Sequence, residues 1–219
     1  AYLDQLRTRS EHSGCVLTNL KINRDDLDLD SSDADKRAHA MQEYKRTIDA
    51  AAQLGVRWVR PLPGQRRPDL AIHVAGYREL IDYAAPKGIQ LLIENNGWMR
   101  GDPHAIPEVI RAVDRNLAAS PDTGNWSNNE TRYQGLARAF PLAVTCDFKA
   151  LTLGPDGQHD AYDLRRCFDI AWDAGFRGPW CLEHFHDDLA TLWREMGQLR
   201  DLIKKWIAQR TQAAAGKQS

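Results

Sequence analysis

Four times along this chain an amphipathic helical stretch runs into a glycine and is followed almost at once by a short run rich in β-branched or aromatic residues. The junctions are Ser13-Gly14-Cys15-Val16-Leu17, Leu54-Gly55-Val56-Arg57-Trp58-Val59, Lys87-Gly88-Ile89-Gln90-Leu91-Leu92-Ile93 and Ala174-Gly175-Phe176-Arg177-Gly178-Pro179-Trp180-Cys181-Leu182. A glycine there takes the left-handed conformation that closes a helix and lets the chain turn into a strand. Two more strands, with weaker entry signals, are expected near residues 116–119 and 142–148, which makes about six.

The segments between carry the helical period. Met41, Tyr44, Ile48 and Ala51 share a face behind a capping-box-like Ser32-x-x-Asp35, and Leu189, Leu192, Met196, Leu199, Leu202, Ile203 and Trp206 form an apolar stripe on the last helix. Strands that alternate with helices imply parallel neighbours, because a parallel pair needs a crossover connection. The class is α/β. A doubly wound sheet would carry a glycine-rich phosphate loop, and neither G-x-G-x-x-G nor G-x-x-x-x-G-K occurs. A (β/α)8 barrel of the TIM type fits better, with about six of its eight βα units present. The chain opens at Ala1 inside helix-like sequence with no cap ahead of it, so an N-terminal piece carrying the first two strands is expected to be missing. Residues 1–208 read as one domain and 209–219, without a bulky apolar anchor in its last nine residues, as a frayed tail.

At 219 residues the chain supports one sizeable core. Its 29 basic and 30 acidic residues leave a net charge of −1, which gives no general pull toward nucleic acid or an anionic membrane. No apolar stretch approaches the roughly 18–20 residues that span a bilayer. The four cysteines contain no C-x-x-C pair, which suits a reduced compartment, and the cytoplasm is the expected location.

In parallel α/β folds chemistry gathers at the carboxyl ends of the strands. Four apolar runs end in acidic residues there: Ile93-Glu94-Asn95-Asn96, Ser120-Pro121-Asp122-Thr123-Gly124-Asn125-Trp126, Thr145-Cys146-Asp147-Phe148-Lys149 and Cys181-Leu182-Glu183-His184. Any one of these could simply cap a helix or, like Asp122-Thr123-Gly124-Asn125, make a turn. Four that converge would repel strongly unless a cation or protons lay between them, and a divalent metal meets that need. Lys149 alternates onto the face of Asp147 and so takes a pocket position, or else is a solvated charge. Trp98 and Trp126 either wall a pocket against a sugar face or pack within loops. His184 and His186, beside Asp187 and Asp188, are read mainly as the lead into the capped last helix, with His184 keeping a claim to face substrate. Asp26-Leu27-Asp28-Leu29-Asp30 imitates a calcium loop but has Ser31 and Arg37 where glycine and glutamate are needed, and is rejected.

With those residues in place, the chain resembles the sugar phosphate isomerase/epimerase superfamily with the xylose-isomerase-like barrel, over about residues 1–208. The likeness rests on Ala51-Ala52-Gln53-Leu54-Gly55 before a strand ending in Arg60, on Leu92-Ile93-Glu94-Asn95, on Asp122-Thr123-Gly124-Asn125 and on the Ala174–Glu183 stretch. It makes the first strand here the third of the barrel. It implies a divalent metal, Mn²⁺ or Mg²⁺ for an all-carboxylate shell, on Glu94, Asp122, Asp147 and Glu183, with Asp147 replacing the usual histidine of an H-x-K motif. Glu94 and Glu183 would move the proton through a metal-stabilised enediolate of a sugar or sugar phosphate. Arg60, Asn125 and Lys149 would orient hydroxyls or a phosphate, with Asn125 standing where the family often has histidine. The partner is then a small sugar, with self-association into a homo-oligomer allowed and neither nucleic acid nor membrane expected. Two alternatives stand beside this: a non-catalytic sugar-binding barrel that has lost its metal, suggested by Asp147, and an endonuclease-type barrel acting on abasic DNA. The latter is disfavoured because its zinc cluster leans on histidines, and of the seven here only His184 lies at one of those strand ends.

Overall fold

A computed structural model describes residues 2–24, 26–154, 157 and 159–216. The elements alternate as read from the sequence: α1 (Tyr2–His12), β1 (Asn19–Lys21), α2 (Ala34–Leu54), β2 (Trp58–Arg60), α3 (Leu70–Ala84), β3 (Gln90–Ile93), α4 (Ala105–Val113), β4 (Leu117–Ala119), α5 (Asn129–Ala139), β5 (Cys146–Ala150), α6 (Leu164–Asp173), β6 (Trp180–His184) and α7 (Leu189–Ala215). Every strand pairing is parallel, in the order β1-β2-β3-β4 and β5-β6. Two bridges, Ala119 to Ala143 and Asp122 to Asp147, join the two ladders into one six-stranded wall. Among the described residues β6 and β1 do not pair with each other.

Glycine closes the helices where the sequence requires it. Gly55 (φ 73°) and Gly88 (φ 71°) are left-handed, and each is followed within three residues by a strand. Two local expectations shift. The first strand does not begin at Cys15, because its pairing is set by β2: Asn19 registers with Trp58, and the amides of Arg57 and Trp58 both donate to the Thr18 carbonyl. The cap of α2 is Asp33 rather than Ser32. Its carboxylate accepts from the amides of Asp35 and Lys36, where a negative charge also suits the positive end of the helix. The last helix continues through Ala215, beyond residue 209.

The core has two characters. Under β1–β4 it is mostly aliphatic, with Ile48, Val59, Leu80, Leu91, Ile93 and Val109 all fully buried. Under β5–β6 it is aromatic, with Phe140, Phe148, Phe168, Phe176, Trp180 and Trp206 in mutual edge and stacked contact at 5.1–6.4 Å between ring centroids. Both place their strands' carboxyl ends on the same side of the wall.

Candidate active site

Each of the six strands delivers a charged side chain to its carboxyl end: Lys21 from β1, Arg60 from β2, Glu94 just past β3, Asp122 after β4, Asp147 and Lys149 from β5, and Glu183 from β6. Parallel register sets Lys21 beside Arg60, Asp122 beside Asp147 and Lys149 beside Glu183.

Glu94 is clamped. Only 3% of its side chain is exposed; Oε1 accepts from Nδ2 of Asn125 at 3.0 Å, and Oε2 lies 2.9 Å from Nε of Arg60 and 3.6 Å from Nζ of Lys21. Arg60, itself buried, is aimed by donating to the Ile22 carbonyl at 3.1 Å and to Oδ1 of Asn23 at 2.6 Å. Asp122 is fully buried. Its Oδ1 accepts the amides of Gly124 (2.5 Å) and Asn125 (2.9 Å), and its Oδ2 sits 3.2 Å from Nζ of Lys149. The carboxamide of Asn95 ties the two loops together: it accepts from the Asp122 amide at 2.8 Å and donates to the carbonyls of Asp122 and Asn125 at 3.0 and 2.9 Å. Asp147 forms an ion pair with Lys21. Glu183 differs from the others in being 46% exposed, with Oε1 held 2.6 Å from Nζ of Lys149.

Ligand oxygens of Glu94, Asp122 and Asp147 all lie within 4.8 Å of one another, and all three residues are buried. Burial, and then the charge of Glu94, push the Asp122 carboxyl up to about 7 against the pull of Lys149. Burial works to lower the Lys149 ammonium, but Asp122 and Glu183 reverse it, so Lys149 is raised and stays charged.

Above the buried carboxylates opens a cavity of about 260 Å³, walled by Lys21, Arg60, Glu94, Asn125, Lys149 and Glu183. Asp122 and Asp147 do not line it but lie against Glu94, which does. The other three residues singled out from the sequence are engaged elsewhere. Trp98 stacks under the Arg67 guanidinium at 4.8 Å and meets His73 edge-on. Trp126 is buried against Gly135 and donates Nε1 to the Asp122 carbonyl at 2.8 Å, so it packs the loop in place of walling the cavity. His184 turns inward. One ring nitrogen faces the Ala150 carbonyl at 2.6 Å and the other Oε2 of Glu195 at 2.5 Å, which leaves neither for substrate. Sequence reasoning missed Lys21, Asn23, Gln65 and Asn96, which also line the cavity. A signal for the first two was present: Asn19, Lys21 and Asn23 alternate with Leu20 and Ile22, the period of a strand with one polar face.

The fold is shared with solved structures at low sequence identity. An L-ribulose 3-epimerase superposes with a TM-score of 0.80 at 15% identity, over 99% of this chain and 83% of that one. The D-psicose 3-epimerase of Clostridium cellulolyticum H10, solved with D-tagatose, gives 0.76 at 17% identity over 93% and 82%. An IolI protein with a bound zinc atom gives 0.76 at 16% over 95% and 82%. No curated protein sequence matches. The sequence profile of the xylose isomerase-like TIM barrel matches residues 1–209. An α/β chain with parallel strands, charged residues collected at their carboxyl ends and a profile match over nearly its whole length belongs to the xylose isomerase-like TIM barrel family.

Proposed function

We propose that this protein is a carbohydrate isomerase or epimerase that moves a proton on a small sugar or sugar phosphate with the help of a divalent cation. The observation that carries the reading is the half-exposed Glu183 lining the same cavity as Glu94, which belongs to a cluster of three buried carboxylates. The donor set suits a hard divalent ion: the oxygens come from three different strand ends, and Oε2 of Glu94 and Oδ2 of Asp147 are buried and held by ion pairs alone. Glu94, Asp122 and Asp147 would hold the ion, with Glu183 reaching it from the rim, and Mn²⁺ or Mg²⁺ suits oxygen ligands best. When bound it would supply Lewis-acid polarisation of adjacent carbonyl and hydroxyl oxygens of the sugar.

The rest falls to the chain. Glu183 takes the proton, since of the two glutamates that line the cavity its carboxylate is the exposed one. Lys149 orients it and, raised by its acidic neighbours, offers a charged donor to a sugar oxygen. Glu94, three strands away from β6, returns the proton on the other face, its position fixed by Asn125 and Arg60. Asn23, Gln65, Asn96 and Asn125 give the polar wall that a polyhydroxylated ligand needs. The epimerase neighbours named above support the substrate class.

The test is solvent exchange. Incubated in D₂O with Mn²⁺ and a panel of ketoses and ketose phosphates, the protein should incorporate deuterium beside the carbonyl of at least one, read by NMR. Glu183→Gln should slow that exchange by about 10²–10⁴-fold, the range for loss of a general base. Absence of exchange across the panel, or a fully active Glu183→Gln, would overturn the assignment. A second reading, a barrel that binds sugar without turnover, is favoured by the two lysines already in the carboxylate cluster; it predicts calorimetric sugar binding with no exchange.

A further inference from the structure

Three buried carboxylates this close require positive charge, and the chain's own side chains bring some of it. Asp122 has Lys149 and Glu94 has Arg60. Asp147 has Lys21 alone among the described residues. Lys21 ends β1, yet its ammonium crosses the interior to an acidic residue on β5 and also stands 3.6 Å from Oε2 of Glu94. The two oxygens it approaches, Oδ2 of Asp147 and Oε2 of Glu94, are buried and engaged by ion pairs alone, as is Nζ itself. Its site therefore overlaps the space a metal bound by Glu94 and Asp147 would fill.

We propose that Lys21 is a tethered counter-ion that competes with the divalent metal for this site, holding the triad together without metal and leaving it when metal enters. The inference rests on the metal-binding reading given above. Two cations cannot share one set of oxygens, so each metal bound must displace the ammonium, and the affinity measured is lowered by the strength of the contact broken. The side chain has somewhere to go. Lys21 is 21% exposed and already lines the cavity, so a swing outward places its charge among Asn23, Gln65 and solvent. The same contact explains how the carboxylates keep their arrangement before metal arrives.

The test is calorimetric titration of the full chain with MnCl₂, comparing wild type with Lys21→Met and Lys21→Gln after thermal melts confirm which variant is folded. Affinity for Mn²⁺ should rise at least tenfold in the folded variant, and adding Asp147→Asn should remove the gain. Equal or weaker binding relative to wild type overturns the role of Lys21 while leaving the metal site standing. No Mn²⁺ binding by wild type or by either lysine variant overturns the metal reading itself, and the competition with it.

Discussion

The two glutamates of the site occupy opposite environments. Glu94 is 3% exposed, bonded by Asn125 and flanked by Arg60 and Lys21, whereas Glu183 is 46% exposed and touched by Lys149 alone among the described ion pairs. From the sequence they were equivalent, each an acid closing a strand. The difference teaches that in this fold the place of a strand end decides which carboxylate is locked in position and which stays open to solvent. Burial makes Glu94 costly to disturb, whereas exposure makes Glu183 replaceable without harm to the fold, and on the proposed function its loss should be felt in the chemistry.

That contrast can be broken at the buried rim first. Arg60→Met leaves Glu94 without its guanidinium in a dry site and should destabilise the fold by about 3–5 kcal/mol, read by urea unfolding. Glu183→Gln, inactive in exchange, should by contrast unfold within about 0.5 kcal/mol of wild type. Next comes pH. In metal-stripped protein the Asp122 carboxyl is pushed up to about 7 from an ordinary 3.8, so the folded state holds its proton more tightly than the unfolded chain does. Its contribution is therefore full below about 4 and declines as pH rises toward 7, by at most about 1.4 kcal/mol per pH unit. Asp122→Asn should flatten that part of the stability profile; an unchanged slope would place the ionisation elsewhere. The smallest effect sharpens the comparison. Asn125 joins the two rims, donating to Glu94 at 3.0 Å and accepting from Lys149 at 3.1 Å. Asn125→Ala should cost about 1–2 kcal/mol, and a double-mutant cycle with Glu183→Gln should show whether the rims are coupled through it.

Much of this was legible in the residues themselves. Glycine caps gave the helix–strand grammar, and the rule that chemistry sits where parallel strands end pointed to Glu94, Asp122, Asp147, Lys149 and Glu183; the first three carboxylates lie close together, and Lys149 links Asp122 to Glu183, which stands outside that group. What stayed hidden depended on long-range pairing. Lys21 went unnoticed because the limits of β1 are set by its register with Trp58 and Arg60, about forty residues on, and not by local propensity near Gly14. The roles of Trp126 and His184 turned on partners equally remote in meaning from their neighbours in sequence: a glycine on α5 that leaves room for an indole, and Glu195 on α7 that claims an imidazole. No periodicity announces such partners.

Asn95 carries one more lesson. Beyond Ile93 and Ala119 the distance between the third and fourth strand ends is governed by one carboxamide, which offers an acceptor to an amide and two donors to carbonyls. Loss of its nitrogen to hydrolysis, leaving aspartate of the same shape, would set a negative oxygen against two carbonyl dipoles. A chemical change too small to alter the outline of the molecule would thus pry apart the shoulders on which Glu94 and Asp122 stand.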